Sequence, residues 1–240
     1  MKLTGKQRIA SILVSILMLV AIGFFAWRQT AAWKDPEGTT ETFLERVERG
    51  MRSEDRAVFE AQLQQLQQEW DEKHAKGERD TQLLLRLGNA YYTIGELKLA
   101  ADQYRNILST NPNDAAALEN LGQTQLEMGD YLGAEATWVK AIDASPFEAT
   151  YLRMVELINV HIPEQHARVK DILEHGITNL GQTYGMMIRL GDWYASEGQY
   201  DRAVSHYEVA LQLNENAEAR KQLEEYRTKW REQQTKASAQ

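Results

Sequence analysis

The 240-residue sequence contains no cysteine and only four prolines. Without cysteine, disulfides, thiolate metal ligands, c-type haem attachment and cysteine nucleophiles are all excluded. Few prolines leave few obligatory helix breaks, and the abundant alanine, leucine, glutamine and glutamate lose little rotamer freedom in a helix. The composition therefore predicts an all-α protein.

The sequence also lacks an excess of basic residues. Its 27 lysines and arginines are outnumbered by 35 aspartates and glutamates, which gives a net charge of −8. A protein that binds nucleic acid needs clustered lysine and arginine to neutralise phosphates. The charge balance therefore predicts no nucleic-acid partner.

Catalytic signatures are missing as well. The sequence contains no HExxH, GxSxG, P-loop or GxGxxG pattern. Three of the five histidines, His161, His166 and His175, are close in sequence, but Pro163 separates the first two and prevents them from sharing a helix face. We therefore predict neither a metal, nor a cofactor, nor an enzymatic activity.

One long apolar run lies near the N-terminus. Residues 9–27, IASILVSILMLVAIGFFAW, carry no charge and as a helix would span the ~30 Å hydrocarbon core of a bilayer. Lys2, Lys6 and Arg8 precede the run, so the positive-inside rule places residues 1–8 in the cytoplasm. The prediction is a single-pass protein of the bacterial cytoplasmic (inner) membrane whose remaining chain is extracytoplasmic, in the periplasm of a Gram-negative cell.

A cleaved signal peptide is the alternative interpretation of the same run. Thr30-Ala31-Ala32 offers small residues for cleavage. However, the run is longer than the roughly 7 to 15 residues of a signal-peptide core, and Trp27-Arg28 is an unusual sequence before a cleavage site. These features favour a membrane anchor.

Residues 28–80 form a polar segment that is predicted to be largely helical. Phe59, Leu63, Leu66 and Trp70 recur at four, three and four residues and so line one face of a helix. This stripe is expected to cover the end of a following repeat array, since such arrays need capped ends. The alternative is that the stripe forms a short self-association stalk.

A 34-residue period follows the polar segment. Three copies share a glycine after leucine, a second glycine seven positions later and an alanine five positions beyond that. These positions are Gly88, Gly95 and Ala100, then Gly122, Gly129 and Ala134, then Gly191, Gly198 and Ala203. Because glycine, alanine and aromatic positions recur together, the pattern indicates a true internal repeat.

The repeat resembles the tetratricopeptide repeat family, whose unit is a pair of antiparallel helices. The resemblance implies an all-α, right-handed solenoid of helical hairpins, here preceded by one transmembrane helix. In each hairpin the first glycine allows the paired helix to approach closely. The second glycine lies in the turn, where a positive φ costs glycine nothing.

Gly122 and Gly191 are 69 residues apart, two periods plus one residue, so a diverged unit must lie between them with Glu156 at its glycine position. Asn113 or Asp114 is the predicted N-cap of the second unit, and Ser145 that of the third. The predicted units are hairpins at 81–114, 115–148, 149–183 (diverged) and 184–216, a capping helix at 217–233 and a disordered tail at 234–240.

The resemblance implies a concave groove lined by the first helix of each hairpin, in which family members hold a peptide or a partner helix. By position, the groove residues are Leu85, Arg86, Asn89, Tyr92, Asn120, Gln123, Glu127, Arg153, Leu157, Val160, Ile188, Arg189 and Asp192. Asparagine side chains can bond a peptide N–H and C=O together. Leu85, Tyr92, Leu157, Val160 and Ile188 are expected to be exposed apolar contacts, and the arginines are expected to attract acidic groups.

These features predict a membrane-anchored adaptor that binds a protein or peptide client. Membrane-tethered arrays of this kind serve the assembly of envelope complexes, such as those for cytochrome c maturation, secretion or pili. The alternative is a structural subunit of a fixed membrane-associated oligomer that has no exchangeable client.

Overall fold

The computed structural model describes residues 43–238, and within that range it contains helices and no strand. After a stretch without regular secondary structure over residues 43–52, the chain forms ten α-helices and one 3-10 helix. The helices are α1 (Ser53–Ala75), α2 (Thr81–Thr93), α3 (Leu97–Leu108), α4 (Ala115–Met128), α5 (Tyr131–Ala144), α6 (Glu148–His161), the 3-10 helix (Pro163–Gln165), α7 (Arg168–Leu180), α8 (Tyr184–Ser196), α9 (Tyr200–Leu213) and α10 (Ala217–Ser238).

None of the helices within residues 43–238 is both long and apolar enough to cross a bilayer. The predicted membrane helix at residues 9–27 and the predicted cytoplasmic residues 1–8 lie outside the described part of the chain.

The helices pair into four hairpins, α2–α3, α4–α5, α6–α7 and α8–α9, and α10 packs on the last of them. The first helices of hairpins one and two, α2 and α4, contact each other, and so do those of hairpins three and four, α6 and α8. Each second helix packs against the first helix of the next hairpin. The first helices therefore line one side of the array, the inner face, and the second helices lie on the other, the outer face.

In three of the hairpins, a glycine of the first helix packs against an aromatic ring of the second helix. A Cβ at Gly122 would lie 2.4 Å from Nε1 of Trp138, which is fully buried. At Gly88 the corresponding neighbour is Tyr104 at 2.5 Å. Gly191 has Tyr207, also at 2.5 Å. The glycine thus provides the space for a large ring from the paired helix, which is a more specific role than close helix approach alone.

The third hairpin reverses this arrangement. Seven residues after the start of its first helix, where the other hairpins have glycine, this hairpin has the buried Val155, and the small residue lies on the second helix as Gly176. The predicted glycine position, Glu156, is exposed and lies one residue further along, because α6 begins 33 residues after the start of α4 instead of one full period. A Cβ at Gly176 would lie 2.8 Å from Met186 of α8 and 3.1 Å from the ring of Tyr151, which the first helix contributes. The diverged unit therefore keeps a small residue against a large one but exchanges the helices that carry them.

The turn glycines Gly95, Gly129 and Gly198 have φ values of 88°, 84° and 71°, in the left-handed region. Asp114 caps α4 through a 3.0 Å bond from the Ala117 amide. The predicted Ser145 cap is wrong: α6 begins at Glu148 after Phe147, and no side chain caps it.

Helix α1 covers the open end of the first hairpin. Leu66 is buried against Leu83 and Leu87 of α2, and Leu63 and Trp70 pack on the same cluster. Phe59, the fourth residue of the stripe, is 37% exposed. The stripe is therefore mostly used inside the array, which removes most of the surface that a self-association stalk would need.

Helix α10 closes the other end. Leu223 and Tyr226 are buried against the fourth hairpin, and the side-chain amide of Gln233 donates to the Gly198 carbonyl at 2.9 Å. The helix extends to Ser238, so the described residues beyond 233 are helical, in contrast to the expected disordered tail.

Candidate partner-binding site

A cavity of about 280 Å³ opens on the inner face between the first two hairpins. We call it the inner pocket, and its lining is largely polar. The first helices supply most of the lining because inward-facing positions recur every three or four residues along each helix. Its lining residues are Asn89, Tyr92, Thr93, Tyr104, Asn120 and Gln123, four of which are predicted groove residues.

Two asparagines form the centre of the inner pocket. The Asn89 side-chain oxygen accepts one hydrogen bond from the Tyr104 hydroxyl at 2.8 Å and another from the Asn120 amide at 3.0 Å. These bonds leave Asn89 Nδ2 and Asn120 Oδ1 without a hydrogen-bond partner among residues 43–238. One free donor and one free acceptor, held by their neighbours, match the C=O and N–H groups of an extended peptide.

Tyr92 forms one wall of the pocket and is fixed from behind. Its hydroxyl donates to Glu127, whose other carboxylate oxygen lies 2.7 Å from Arg49. The Arg49 guanidinium also stacks 4.7 Å above the Tyr92 ring. Burial and the adjacent Glu127 carboxylate raise the pKa of Tyr92 above its ordinary value. Glu127 is thus committed to internal contacts.

Arg49 belongs to an extended segment, residues 43–50, which we call the strap. Its main chain bonds three points of the first two hairpins: Leu44 N to the Met128 carbonyl at 2.9 Å, Val47 N to the Gly95 carbonyl at 2.9 Å, and the Glu45 carbonyl to Lys98 N at 3.0 Å. Sequence reasoning missed this element, because it predicted the whole polar segment to be largely helical. No local pattern marks the strap, since its bonds are all to distant residues.

Close packing at the turn explains why the strap lies there. A Cβ at Gly95 would approach the Val47 carbonyl oxygen to 2.0 Å, so only glycine admits the strap at this turn. Arg49 adds a bond to the Tyr92 carbonyl at 3.0 Å, and Arg46 pairs with Glu96 at 3.1 Å. The strap therefore supports the wall of the inner pocket through Arg49.

The remaining predicted groove residues of the first and third hairpins have different surroundings. Leu85 is partly buried and packs on the hairpin core, whereas Arg86 is exposed at 3.8 Å from Glu69. Arg153 is bound to Glu119 at 2.7 Å. Leu157, expected to be exposed, is only 1% exposed. Because α6 begins one residue earlier than the 34-residue period predicts, Leu157 occupies the position of Thr124 in the second hairpin, which is also fully buried.

On the last two hairpins, Val160 is 56% exposed, while Ile188 is partly buried against the core. Arg189 lies 3.9 Å from Glu156. Asp192 accepts hydrogen bonds from the hydroxyls of Tyr207 and Tyr226. Of the predicted groove residues, Asn89, Tyr92, Asn120 and Gln123 are therefore the ones that line one pocket.

The histidines form contacts of their own. His166 bonds Asn159 at 2.9 Å and Ser196 at 3.0 Å, and His161 stacks on Tyr131. In the part of the chain that the structure describes, no three histidine, aspartate or glutamate side chains are grouped so that they could hold a metal ion.

Comparison with known sequences addresses the hairpins directly. Two sequence profiles of the tetratricopeptide repeat match the chain, one over residues 85–149 and one over residues 187–221. The chain contains tetratricopeptide repeats. The two matches lie on either side of the diverged tetratricopeptide hairpin, whose reversed packing pair departs from the repeat pattern. No curated protein sequence matches the chain significantly.

Solved structures with the same arrangement of tetratricopeptide hairpins include crystal structures of MamA. One MamA structure superposes with a TM-score of 0.56 at 18% identity, covering 68% of this chain and 92% of that one. A MamA fragment from Desulfovibrio magneticus RS-1 gives a TM-score of 0.52 at 17% identity, covering 66% of this chain and 89% of that one. At these identities the similarity shows a shared fold.

Proposed function

We propose that the protein is a scaffold that binds an extended segment of a client protein at the inner pocket. The observation that carries this proposal is the free donor of Asn89 beside the free acceptor of Asn120 in an open cavity. A peptide unit supplies the complementary pair, and recognition through the main chain requires no particular client sequence.

The rigidity of the pocket supports the same function. Tyr104 is 1% exposed, and its hydroxyl donates a hydrogen bond to Asn89. Arg49 of the strap donates a hydrogen bond to the Tyr92 carbonyl. Side chains that are already ordered lose less conformational entropy when a ligand binds. The side chain of Gln123, at the edge of the pocket, adds a polar group that can adapt to the client.

Site-specific photo-crosslinking in cells tests the proposal. A photoreactive residue at Gln123 should capture a client, and the same residue at Asp201, exposed on α9 of the fourth hairpin, is the matched control. Asn120→Ala should reduce capture from Gln123 about tenfold, because a lost hydrogen bond in a partly buried site costs roughly 1–2 kcal/mol. Equal capture from both positions, or capture unaffected by Asn120→Ala, would refute a role for the inner pocket.

We also propose that residues 9–27 anchor this scaffold in the bacterial cytoplasmic membrane with the repeats outside the cytoplasm, where it would serve the assembly of an envelope complex. The uncharged run and the basic residues before it support this topology. A reporter fused after Gln240 tests it: a reporter that works only in the periplasm is expected, and one active only in the cytoplasm would exclude this orientation.

A further inference from the structure

A second cavity, of about 260 Å³, lies on the outer face where the second and diverged hairpins meet. We call it the outer pocket. Tyr151 and Met154 of α6, both nearly fully buried, form its floor. Ile142 of α5 and Ile172 of α7 contribute apolar side chains to its walls. Its volume is sufficient for one large side chain, and its interior offers mainly apolar contacts.

The outer pocket continues into an exposed apolar surface on α5. Leu132 is 66% exposed and Val139 is 42% exposed, and Val139 also lines the pocket. Seven residues, two helical turns, separate them, so they lie on the same side of the helix. Exposed apolar residues next to an apolar cavity are typical of protein-binding surfaces.

The other hairpins show that these apolar residues are not required by the repeat. Counted from the packing glycine, the positions of Leu132 and Val139 are occupied by exposed charged residues in the first and fourth hairpins. Those residues are Lys98 and Arg105 in the first hairpin and Asp201 and Glu208 in the fourth. An array of this type therefore packs with charges at both positions, and the apolar pair is particular to the surface beside the pocket.

The rim of the outer pocket has an acidic character. Asp143 and Asp171 are both exposed lining residues, and neither forms an ion pair or a side-chain hydrogen bond with another residue in the range 43–238. Of the two basic lining residues, Arg168 is already bonded to Glu135 and Gln165, and the ring nitrogens of His175 contact Tyr151 and Asn179. Two free carboxylates beside an apolar cavity favour a cation next to an apolar group.

We infer that the outer pocket is a second docking site, which takes a large apolar side chain adjoining lysine or arginine in a partner protein. The apolar side chain fills the cavity over Tyr151 and Met154, and the neighbouring cation pairs with Asp143 or Asp171. This site faces away from the inner pocket, so the scaffold can hold two protein segments at once. The inference does not depend on the function proposed for the inner pocket.

Nuclear magnetic resonance of isoleucine methyl groups in the full chain provides the test. Ile142 and Ile172 report on the outer pocket, and Ile107, buried in the first hairpin, is the internal control. The probes are the blocked dipeptides acetyl-Trp-Arg-amide and acetyl-Trp-Gln-amide, which differ only in the cation. Saturable shifts of the two pocket methyl groups, with the Ile107 methyl group unmoved, are expected for both peptides.

Two sets of variants separate the apolar contribution from the charge contribution. Val139→Arg, which copies the residue of the first hairpin, should abolish the shifts without unfolding the array. Asp143→Asn combined with Asp171→Asn should weaken the arginine peptide about two- to fivefold, as expected for an exposed ion pair, and leave the glutamine peptide unchanged. High salt should weaken the arginine peptide by a similar factor.

Three results would overturn the inference. The first is the absence of any shift at Ile142 and Ile172 with the arginine peptide. The second is equal affinity for both peptides in the unsubstituted protein. The third is self-association of the protein that Val139→Arg abolishes, because the surface would then belong to a second copy of the chain.

Discussion

Replacing Gly122 by alanine tests the packing on which each regular hairpin depends. The added Cβ would lie 2.4, 2.6 and 2.9 Å from three atoms of the Trp138 ring, which is fully buried. Ordinary contacts of this kind are longer than about 3.4 Å, so the ring would have to move by roughly 1 Å into close-packed surroundings. That movement would also break its 3.4 Å bond to the Glu119 carbonyl.

Two opposing effects set the size of the change. Overpacking of a core typically costs about 1–3 kcal/mol, and a clash with three ring atoms favours the upper end. Alanine is about 1 kcal/mol better than glycine in a helix interior, which offsets part of that cost. We therefore expect Gly122→Ala to lower the free energy of unfolding by about 2 kcal/mol, equivalent to a Tm lower by roughly 4–8 °C.

Urea unfolding followed by far-ultraviolet circular dichroism measures this change. Gly185→Ala is the matched control, because its added Cβ meets only the flexible ends of Glu148 and Leu152. The control should change stability by less than about 0.5 kcal/mol. Combining Gly122→Ala with Trp138→Leu should cost less than the sum of the two single changes, because the smaller side chain removes the clash.

A stabilised Gly122→Ala variant would refute this reasoning. It would mean that the glycine acts only as a poor helix former and that the ring yields at no cost. Additive effects in the double variant would lead to the same conclusion.

Three further predictions concern other parts of the array. Asp114→Ala should destabilise the protein by about 1 kcal/mol in urea unfolding, because the amide bound at the start of α4 loses its acceptor; no change would contradict the cap. Arg49→Ala should speed hydrogen exchange at the Val47 amide, and unchanged exchange would show that main-chain bonds alone hold the strap. Burial and the Asp192 carboxylate raise the pKa of Tyr226 to about 12, so the contribution of Tyr226 to stability should be constant below about pH 10 and fall between pH 10 and 12, as the phenol ionises first in the unfolded chain. In an alkaline absorbance titration Asp192→Asn should lower that pKa, and an unchanged midpoint would exclude the carboxylate as a cause.

The sequence predicted the hairpins well where their determinants are local. The turn glycines correctly predicted a positive φ, and Asp114 correctly predicted a helix start. Both effects depend on residues that are at most a few positions apart in the chain. Ser145 shows the limit of this approach. Serine is a common N-cap residue, but the helix begins three residues after Ser145, because the backbone stays extended through Phe147.

The candidate site was predictable only in part. The repeat position of Asn89 and Asn120 placed them on the inner face, yet their mutual bond and the support from Tyr104 come from three different helices. The prediction for Leu157 was wrong, because it assumed a constant 34-residue period and α6 begins one residue early.

The sequence by itself determined the helical class, the period and the capped ends, because these follow from residue types repeated at fixed spacing. Only the tertiary structure decided that the strap lies against two turns, that the third hairpin exchanges its large and small residues, and that the outer pocket opens beside it. Each of these features depends on contacts between residues far apart in the chain. Steric fit between the packed elements decides them, and local residue spacing does not reveal that fit.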